Sequence, residues 1–374
     1  MRITQIRVWA TNVPLHRPVG ISTKTVDSRD HTIVQIDTDE GISGLGYTWG
    51  YRSSGVTAEC IIQLLSPILL GEDPRETEAH WESMFSRTTQ AGRKGLVIRA
   101  ISAVDIALWD IKAKAVEAPI YRVLGGAARD TPVYASGGYY STGKSLKDLA
   151  EEMTVYVEQG YQAVKMKIGG ASLREDIERV RTVRAAIGDN IDLMLDANGA
   201  WRDPVEALRA CRALESYSPY WIEEPLPPDQ YTASAVVAAE TDIPIAGGEQ
   251  EFTRWGFAQL AQSKAVDVMQ PNATVAGGIT EWMKIAALAS SLGIALAPHA
   301  NPYVHCHLAS AFPQAMTIEY FEPAQSIKVL DRLLLDVPKT RNGTLRPTER
   351  PGLGLSLNEE ALAQFRVAEW NAKG

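Results

Sequence analysis

Six short apolar runs in the middle of the chain each end on a polar residue that chemistry uses, and they recur at nearly even intervals. They are AVKMKIG with Lys165 and Lys167, IDLMLDAN with Asp196 and Asn198, YWIEEP with Glu223, IPIAGGE with Glu249, GIALAPH with His299, and AMTIEY with Glu319. Asp196 follows Lys167 by 29 residues, Glu223 follows Asp196 by 27, and Glu249 follows Glu223 by 26. That period suits one strand, one helix and two loops, the repeat of a (β/α) barrel. Barrel active sites are built from the C-terminal ends of several parallel strands, where these side chains are expected to fall.

With 374 residues the chain exceeds one ordinary core, although a barrel alone can reach about 250. Residues 1 to about 50 alternate apolar and polar (ITQIRVWATNV, HTIVQIDTDEG) before the glycine-rich GISGLGY, which reads as an antiparallel meander. In VIRAISAVDIALWDIKAKAV, Ile101, Val104, Leu108 and Ile111 recur at helical steps. Gly125-Gly126 stops that run before VYASGG, the expected first barrel strand. Strand and helix patterns then alternate to about residue 322, with helices expected at 173–187 and 281–292. The tail from about 345 breaks the period and is expected to return to the N-terminal part.

Residues two apart on a strand share a face, so Lys165 projects with Lys167 and Asp196 with Asn198. Strands buried on both faces leave no solvent for two inward lysines. Mutual repulsion is then expected to lower their pKa values, as a lysine base requires. Asp196, Glu223 and Glu249 come from three successive strands, and three carboxylates at one point repel unless a cation sits between them. All-oxygen ligation selects a hard divalent ion such as Mg²⁺. Glu224 is expected to face away from Glu223 along the strand.

The combination of K-x-K (Lys165, Lys167), DAN (Asp196 to Asn198), EEP (Glu223 to Pro225), GGE (Gly247 to Glu249) and a late Pro-His (His299) resembles the enolase superfamily, in its mandelate racemase/muconate lactonizing enzyme family and mandelate racemase-like branch. The likeness runs from the meander through VDIALWDIKAK to the PGLG tail. It implies a modified TIM barrel, (β/α)7β, with an N-terminal α+β capping domain over residues 1–126, the catalytic barrel over 127–344, and a C-terminal segment, 345–374, that completes the cap. It further implies one Mg²⁺ per subunit on Asp196, Glu223 and Glu249. Lys167 would be the base on one face of the substrate and His299 would sit on the other. Lys165 would contact the substrate carboxylate, and Glu319 would hydrogen-bond a carboxylate oxygen as a protonated acid. Such sites draw a proton from the carbon next to a carboxylate and stabilise the enediolate. The implied outcome is dehydration of an acid sugar (aldonate or aldarate) to a 2-keto-3-deoxy acid. Racemisation or epimerisation of a 2-hydroxy acid and isomerisation of a sugar lactone use the same apparatus. A Schiff-base aldolase and a non-catalytic sugar-acid binder are the readings of a different class.

Two departures stand out. Where the family places an aspartate beside the histidine, this chain has Asn272, and a neutral amide supports an imidazolium far less than a carboxylate does. His299 is therefore expected to be a weaker base that still donates a proton, which favours dehydration over racemisation. No lysine ends the sixth strand, since Lys264 precedes it, which argues against the muconate-cycloisomerase and dipeptide-epimerase branch. Substrate contacts are expected from the loops 16–31 and 46–55, with Lys24, Tyr51 and Arg52, and from Tyr139 and Tyr140 after the first barrel strand; Asn198 joins Lys165 and Glu319 there. His305 and His307 are expected to be helix residues near the site without a catalytic part. A net charge of −8 argues against nucleic acid as the main partner. No run reaches about 18 apolar residues, and the N-terminus lacks a signal-peptide pattern. Three scattered cysteines suit reduced thiols in the cytoplasm. A small carboxylate substrate, no membrane partner, and a homo-oligomer, dimer or octamer, complete the expectation.

Overall fold

Three long strands, β1 (Ile3–Gly20), β2 (Thr25–Thr38) and β3 (Ser43–Gly50), form an antiparallel sheet in the computed structural model, which describes residues 1–374. The glycines of GISGLGY are a packing device. The helix Leu96–Ala115 lies so close to β3 that a Cβ on Gly44 would meet the Ala107 carbonyl oxygen at 2.1 Å, and one on Gly46 the Ala103 oxygen at 1.9 Å. The C-terminal strand Arg366–Lys373 adds to the free edge of β1, antiparallel, from Gln5 opposite Lys373 to Thr11 opposite Arg366. Just upstream, Thr344–Leu345 pairs with the first barrel strand, so the tail touches both sheets.

Asp110 ties these pieces together. Its buried carboxylate accepts from the backbone N–H of Leu45 at 2.8 Å and of Leu353 at 2.7 Å, and from Lys114 Nζ at 2.6 Å. Asp110→Ala strands two buried N–H donors at once, and a stranded donor costs about 1–3 kcal/mol. A loss of roughly 3 kcal/mol in urea-induced unfolding is expected; a loss under about 1 kcal/mol would mean that these bonds are readily replaced.

Eight parallel strands follow: β4 (Thr131–Ser136), β5 (Ala163–Lys167), β6 (Asp192–Asp196), β7 (Trp221–Glu223), β8 (Ile245–Gly247), β9 (Val268–Met269), β10 (Ala295–Leu296) and β11 (Ile318–Tyr320). They pair in chain order, and β11 returns to β4. The ring closes between β10 and β11 through the parallel bridge of Leu296 with Ala315 and a 2.9 Å bond from Met316 N to Leu296 O. Each of the first seven strands is followed by helix, giving the (β/α)7β barrel. The helix expected at 281–292 begins at Gly278, because Gly277 and Gly278 take φ of 123° and 88° and let the chain turn into it.

Strand alternation sets the site. Ala163, Met194, Trp221 and Ala297 belong to one buried interior layer together with Tyr134, Ala246 and Val268. Two residues further along the same strand directions come Lys165, Asp196, Glu223 and His299, one level nearer the C-terminal mouth. The apolar layer closes the barrel floor, and the polar level stands on it.

The N-terminal sheet and its helices grip the barrel near β9. Thr48 Oγ1 donates to Thr274 O at 2.5 Å, Trp81 Nε1 to Gly277 O at 2.7 Å, and Trp109 Nε1 to Thr280 Oγ1 at 2.8 Å. At the mouth, Ser22 in the β1–β2 turn donates to Ala197 O at 2.6 Å.

Candidate active site

Asp196 ends β6, Glu223 ends β7, and Glu249 follows β8 by two residues. One carboxylate oxygen from each lies within 4.8 Å of the others, and all three side chains are buried. Asn198 holds Asp196 in place, its backbone N–H 2.9 Å from Oδ1 and its amide Nδ2 3.3 Å from Oδ2. Gln270, just past β9, donates to Glu223 Oε2 at 2.7 Å. Burial, and then the charge of Asp196, push the Glu223 carboxyl up to about 8 even though Lys165 opposes them. Negative charge is in excess here. Three crowded oxygen donors with that excess fit a hard divalent cation.

The lysines correct the expectation from sequence. Lys165 Nζ lies 2.8 and 2.7 Å from the two oxygens of Glu223, 2.8 Å from Glu319 Oε1 and 3.7 Å from Asp196 Oδ2. Lys167 pairs with Asp196 and has the Tyr139 ring 5.0 Å away. Burial would lower both pKa values, but Glu223 and Glu319 raise Lys165, and Asp196 raises Lys167, well above the ordinary lysine value. The surrounding carboxylates outweigh the mutual repulsion. Glu319 also departs from the protonated acid expected. Burial pushes its carboxyl up, yet Lys165 and His299 bring it down to about 2. It accepts from Ala300 N at 3.0 Å and lies 3.4 Å from His299 Nε2.

His299 lies three residues past β10, with Nε2 3.0 Å from Glu249 Oε2 and Nδ1 3.1 Å from Asn272 Nδ2. The rest of the network fixes which way the Asn272 amide points. Its Oδ1 accepts from Thr274 N and Thr274 Oγ1, both at 2.9 Å, and from Asn301 Nδ2 at 3.3 Å. Three donors on the oxygen leave Nδ2 to donate to His299 Nδ1. A neutral His299 therefore carries its proton on Nε2, the nitrogen that faces the carboxylates. An aspartate in place of Asn272 would impose the opposite tautomer.

The outer contacts expected from sequence divide. Lys24 lies over the Tyr51 ring, 3.2 Å from its centroid, and feels the charges of Glu249 and Glu224, so both residues stand at the mouth. Arg52 does not; its side chain is 82% exposed and pairs with Asp27 at 3.2 Å. Tyr140 is also drawn away, donating to Asp176 Oδ1 at 2.5 Å and accepting from Gly170 N at 3.0 Å. Its neighbour Tyr139 is the one that faces Lys167. Glu224 is not among the three clustered carboxylates. The strand ends at Glu223, Glu224 takes φ of 42°, and its buried carboxyl accepts from Gln250 Nε2 at 2.9 Å. His305 sits on the helix Pro302–Ala311, bonded to Ala300 O at 2.6 Å and to Ala273 N at 3.0 Å. His307, on the same helix, lies 3.3 Å from Leu353 O. Sequence reasoning missed Gln270 and Trp49, whose indole lies 6.1 Å from the His299 ring. The run QPN after β9 held a signal for Gln270, two residues before Asn272 and so on the same side.

Residues 3–125 match the mandelate racemase / muconate lactonizing enzyme N-terminal domain, and residues 147–361 match the enolase C-terminal domain-like family. An arabinonate dehydratase of Saccharolobus solfataricus is 36% identical over 337 residues, which span 89% of each chain. A D-galactarolactone cycloisomerase of Agrobacterium fabrum is 34% identical over 382 residues, 99% of this chain and 100% of that one. Among solved structures, an L-talarate dehydratase from a Polaromonas species, in complex with Mg and L-glucarate, superposes with a TM-score of 0.91 at 32% identity, covering 100% of this chain and 99% of that one.

Proposed function

The chain belongs to the mandelate racemase / muconate lactonizing enzyme family, and on that premise we propose that it is a Mg²⁺-dependent acid-sugar dehydratase that converts an aldonate or aldarate to a 2-keto-3-deoxy acid. The observation that carries the choice of reaction is the Asn272–His299 pair, whose amide-to-imidazole bond leaves a proton, and no lone pair, on the nitrogen facing the site. Racemisation needs a base on each face; elimination needs one base and one acid.

In this reading Asp196, Glu223 and Glu249 would hold the cation. When bound, it supplies Lewis-acid stabilisation of the charge that develops on the substrate carboxylate and offsets the Asp196 charge that otherwise keeps Lys167 protonated. Lys167 takes the proton from the carbon next to the carboxylate. Lys165, fixed between Glu223 and Glu319, donates to a substrate carboxylate oxygen as negative charge builds there. Glu319, being ionised, serves by holding Lys165 and the His299 ring in place. His299 in its imidazolium form, flanked by Glu249 and Glu319, gives its Nε2 proton to the β-hydroxyl and is left as neutral imidazole; the C–O bond breaks, water leaves, and the resulting enol tautomerises to the 2-keto-3-deoxy acid. Asn198 orients Asp196, and Lys24 and Tyr51 meet the sugar hydroxyls at the mouth.

Opening of a sugar lactone is the second reading. Its ring oxygen is also a β-leaving group, so it draws on the same base and acid, and one relative matched over its full length is a lactone cycloisomerase. The proposal includes the division into 1–126, 127–344 and 345–374, a homo-oligomer (dimer or octamer), and a cytoplasmic setting. Free Cys60, Cys211 and Cys306 are consistent with that setting, and no helix is long and apolar enough to cross a membrane. Incubating the Mg²⁺-loaded protein with a panel of acid sugars should release a 2-keto acid, and EDTA should stop it. Turnover that survives EDTA, or a borohydride-trapped lysine adduct, would point instead to an aldolase.

A further inference from the structure

A second cluster of cations lies beside the reacting centre, and nothing in the chemistry above uses it. Arg29 and His31, two residues apart on β2 and so on one face of it, line a cleft together with Trp49, Asn301, Phe321 and Lys328. Arg29 is only 4% exposed. Its Nε donates to the carbonyl of Ile327 at 3.0 Å, which draws the loop after β11 against the N-terminal sheet and sets Lys328 beside it. The other guanidinium nitrogens make no ion pair, and Lys328 makes none. The Lys328 ammonium lies 4.1 Å from the Trp49 ring centroid and 5.4 Å from that of Phe321. The same Trp49 indole packs 6.1 Å from His299, and Asn301 bonds to Asn272, so the cleft opens from the acid side of the site. His31 Nδ1 is buried without a hydrogen-bond partner.

Buried like charges without counter-ions are costly, and proteins keep them where an anion arrives to pair with them. We propose that Arg29 and Lys328 form a second carboxylate subsite, and that the substrate is therefore a dicarboxylate, an aldarate, whose far end docks there while its near end reacts. This rests on the dehydratase reading and narrows it, because the relatives act on monoacids and diacids alike. Two further observations agree. Burial, reinforced by Arg29, drives the Lys328 pKa well below its ordinary value although the charges of Glu319 and Glu249 oppose the shift, a penalty that an incoming anion relieves. Asp331 is the one carboxylate lining the cleft, too few to neutralise both cations. Guanidinium and ammonium together match a carboxylate, whereas a terminal CH₂OH would leave both unpaired.

The test compares acid sugars of matched configuration that differ only at the far carbon, such as galactarate and galactonate. In the wild type kcat/KM should favour the diacid by at least about tenfold, as charge-assisted bonds in a buried site do. Lys328→Met keeps the apolar stem on Trp49 and should collapse that ratio by about tenfold or more, and Lys328→Arg should restore most of it. Calorimetric binding of the same two acids to the Mg²⁺-loaded protein reads the subsite even if neither is turned over. Diacid preference lost in Lys328→Met then supports the subsite while the missing 2-keto acid counts against the dehydratase reading. Equal affinity and equal kcat/KM for both acids in the wild type, or an unchanged ratio in Lys328→Met, would overturn the subsite and leave the dehydratase reading standing.

Discussion

Asp196→Ala, Glu223→Ala and Glu249→Ala should each lower turnover by about 10³-fold or more and weaken Mg²⁺ binding in calorimetric titration. The size follows from geometry. The three oxygens lie within 4.8 Å of one another on the barrel mouth, and two carboxylates leave a hard cation undercoordinated. Glu223 carries a second load, since it also receives Lys165 and Gln270. Its removal leaves a fully buried ammonium short of a partner, an effect worth about 3–5 kcal/mol, so Glu223→Gln is the fairer variant for catalysis. Circular dichroism and thermal melts separate unfolding from loss of metal. A variant with near-normal activity and near-normal metal affinity would show that its residue has been misassigned.

Much of this molecule is legible in the sequence, for physical reasons. Parallel strands buried on both faces read as continuous apolar runs, and a polar residue at the end of such a run has no purpose other than the mouth of the barrel. That is why a (β/α) barrel repeat and the Asp196, Glu223 and Glu249 cluster follow from spacing, while the (β/α)7β form is what the family resemblance implies. What the sequence hides is how the charges balance once those strands stand side by side. The lysine pKa values come out reversed because Lys165 is surrounded by Glu223, Glu319 and Asp196, partners 31 to 154 residues away, whereas Lys167 is only its nearest neighbour in sequence. Glu319 is ionised for the same reason. Arg52 and Tyr140 fail for a different one. Each lies beyond a strand, where strand geometry no longer sets direction, and Arg52 takes φ of 61°. Arg29 and Lys328 are invisible as a pair until the β2 strand and the loop after β11 are brought together.

The two faces of the substrate should behave differently when each loses its residue. Lys167→Ala removes the only base and should cost both dehydration and exchange of the α-proton, each by about 10²–10⁴-fold. His299→Asn removes the proton donor for the leaving hydroxyl and should abolish dehydration, yet the enediolate still forms and the α-position still exchanges. Asn272→Asp reverses the hydrogen bond at Nδ1, so that the imidazole carries its proton on Nδ1, donates a hydrogen bond from it to the new carboxylate and offers a lone pair at Nε2. That variant should gain epimer of the substrate, a product the wild type does not make. Unchanged products in Asn272→Asp would mean that Asn272 does not set the tautomer.

Proton NMR of an acid-sugar substrate in D₂O, run side by side on Lys167→Ala and His299→Asn, tests the assignment of base and acid most directly. Loss of the α-proton signal with His299→Asn and its persistence with Lys167→Ala is the expected result; exchange with Lys167→Ala and none with His299→Asn would reverse the two roles.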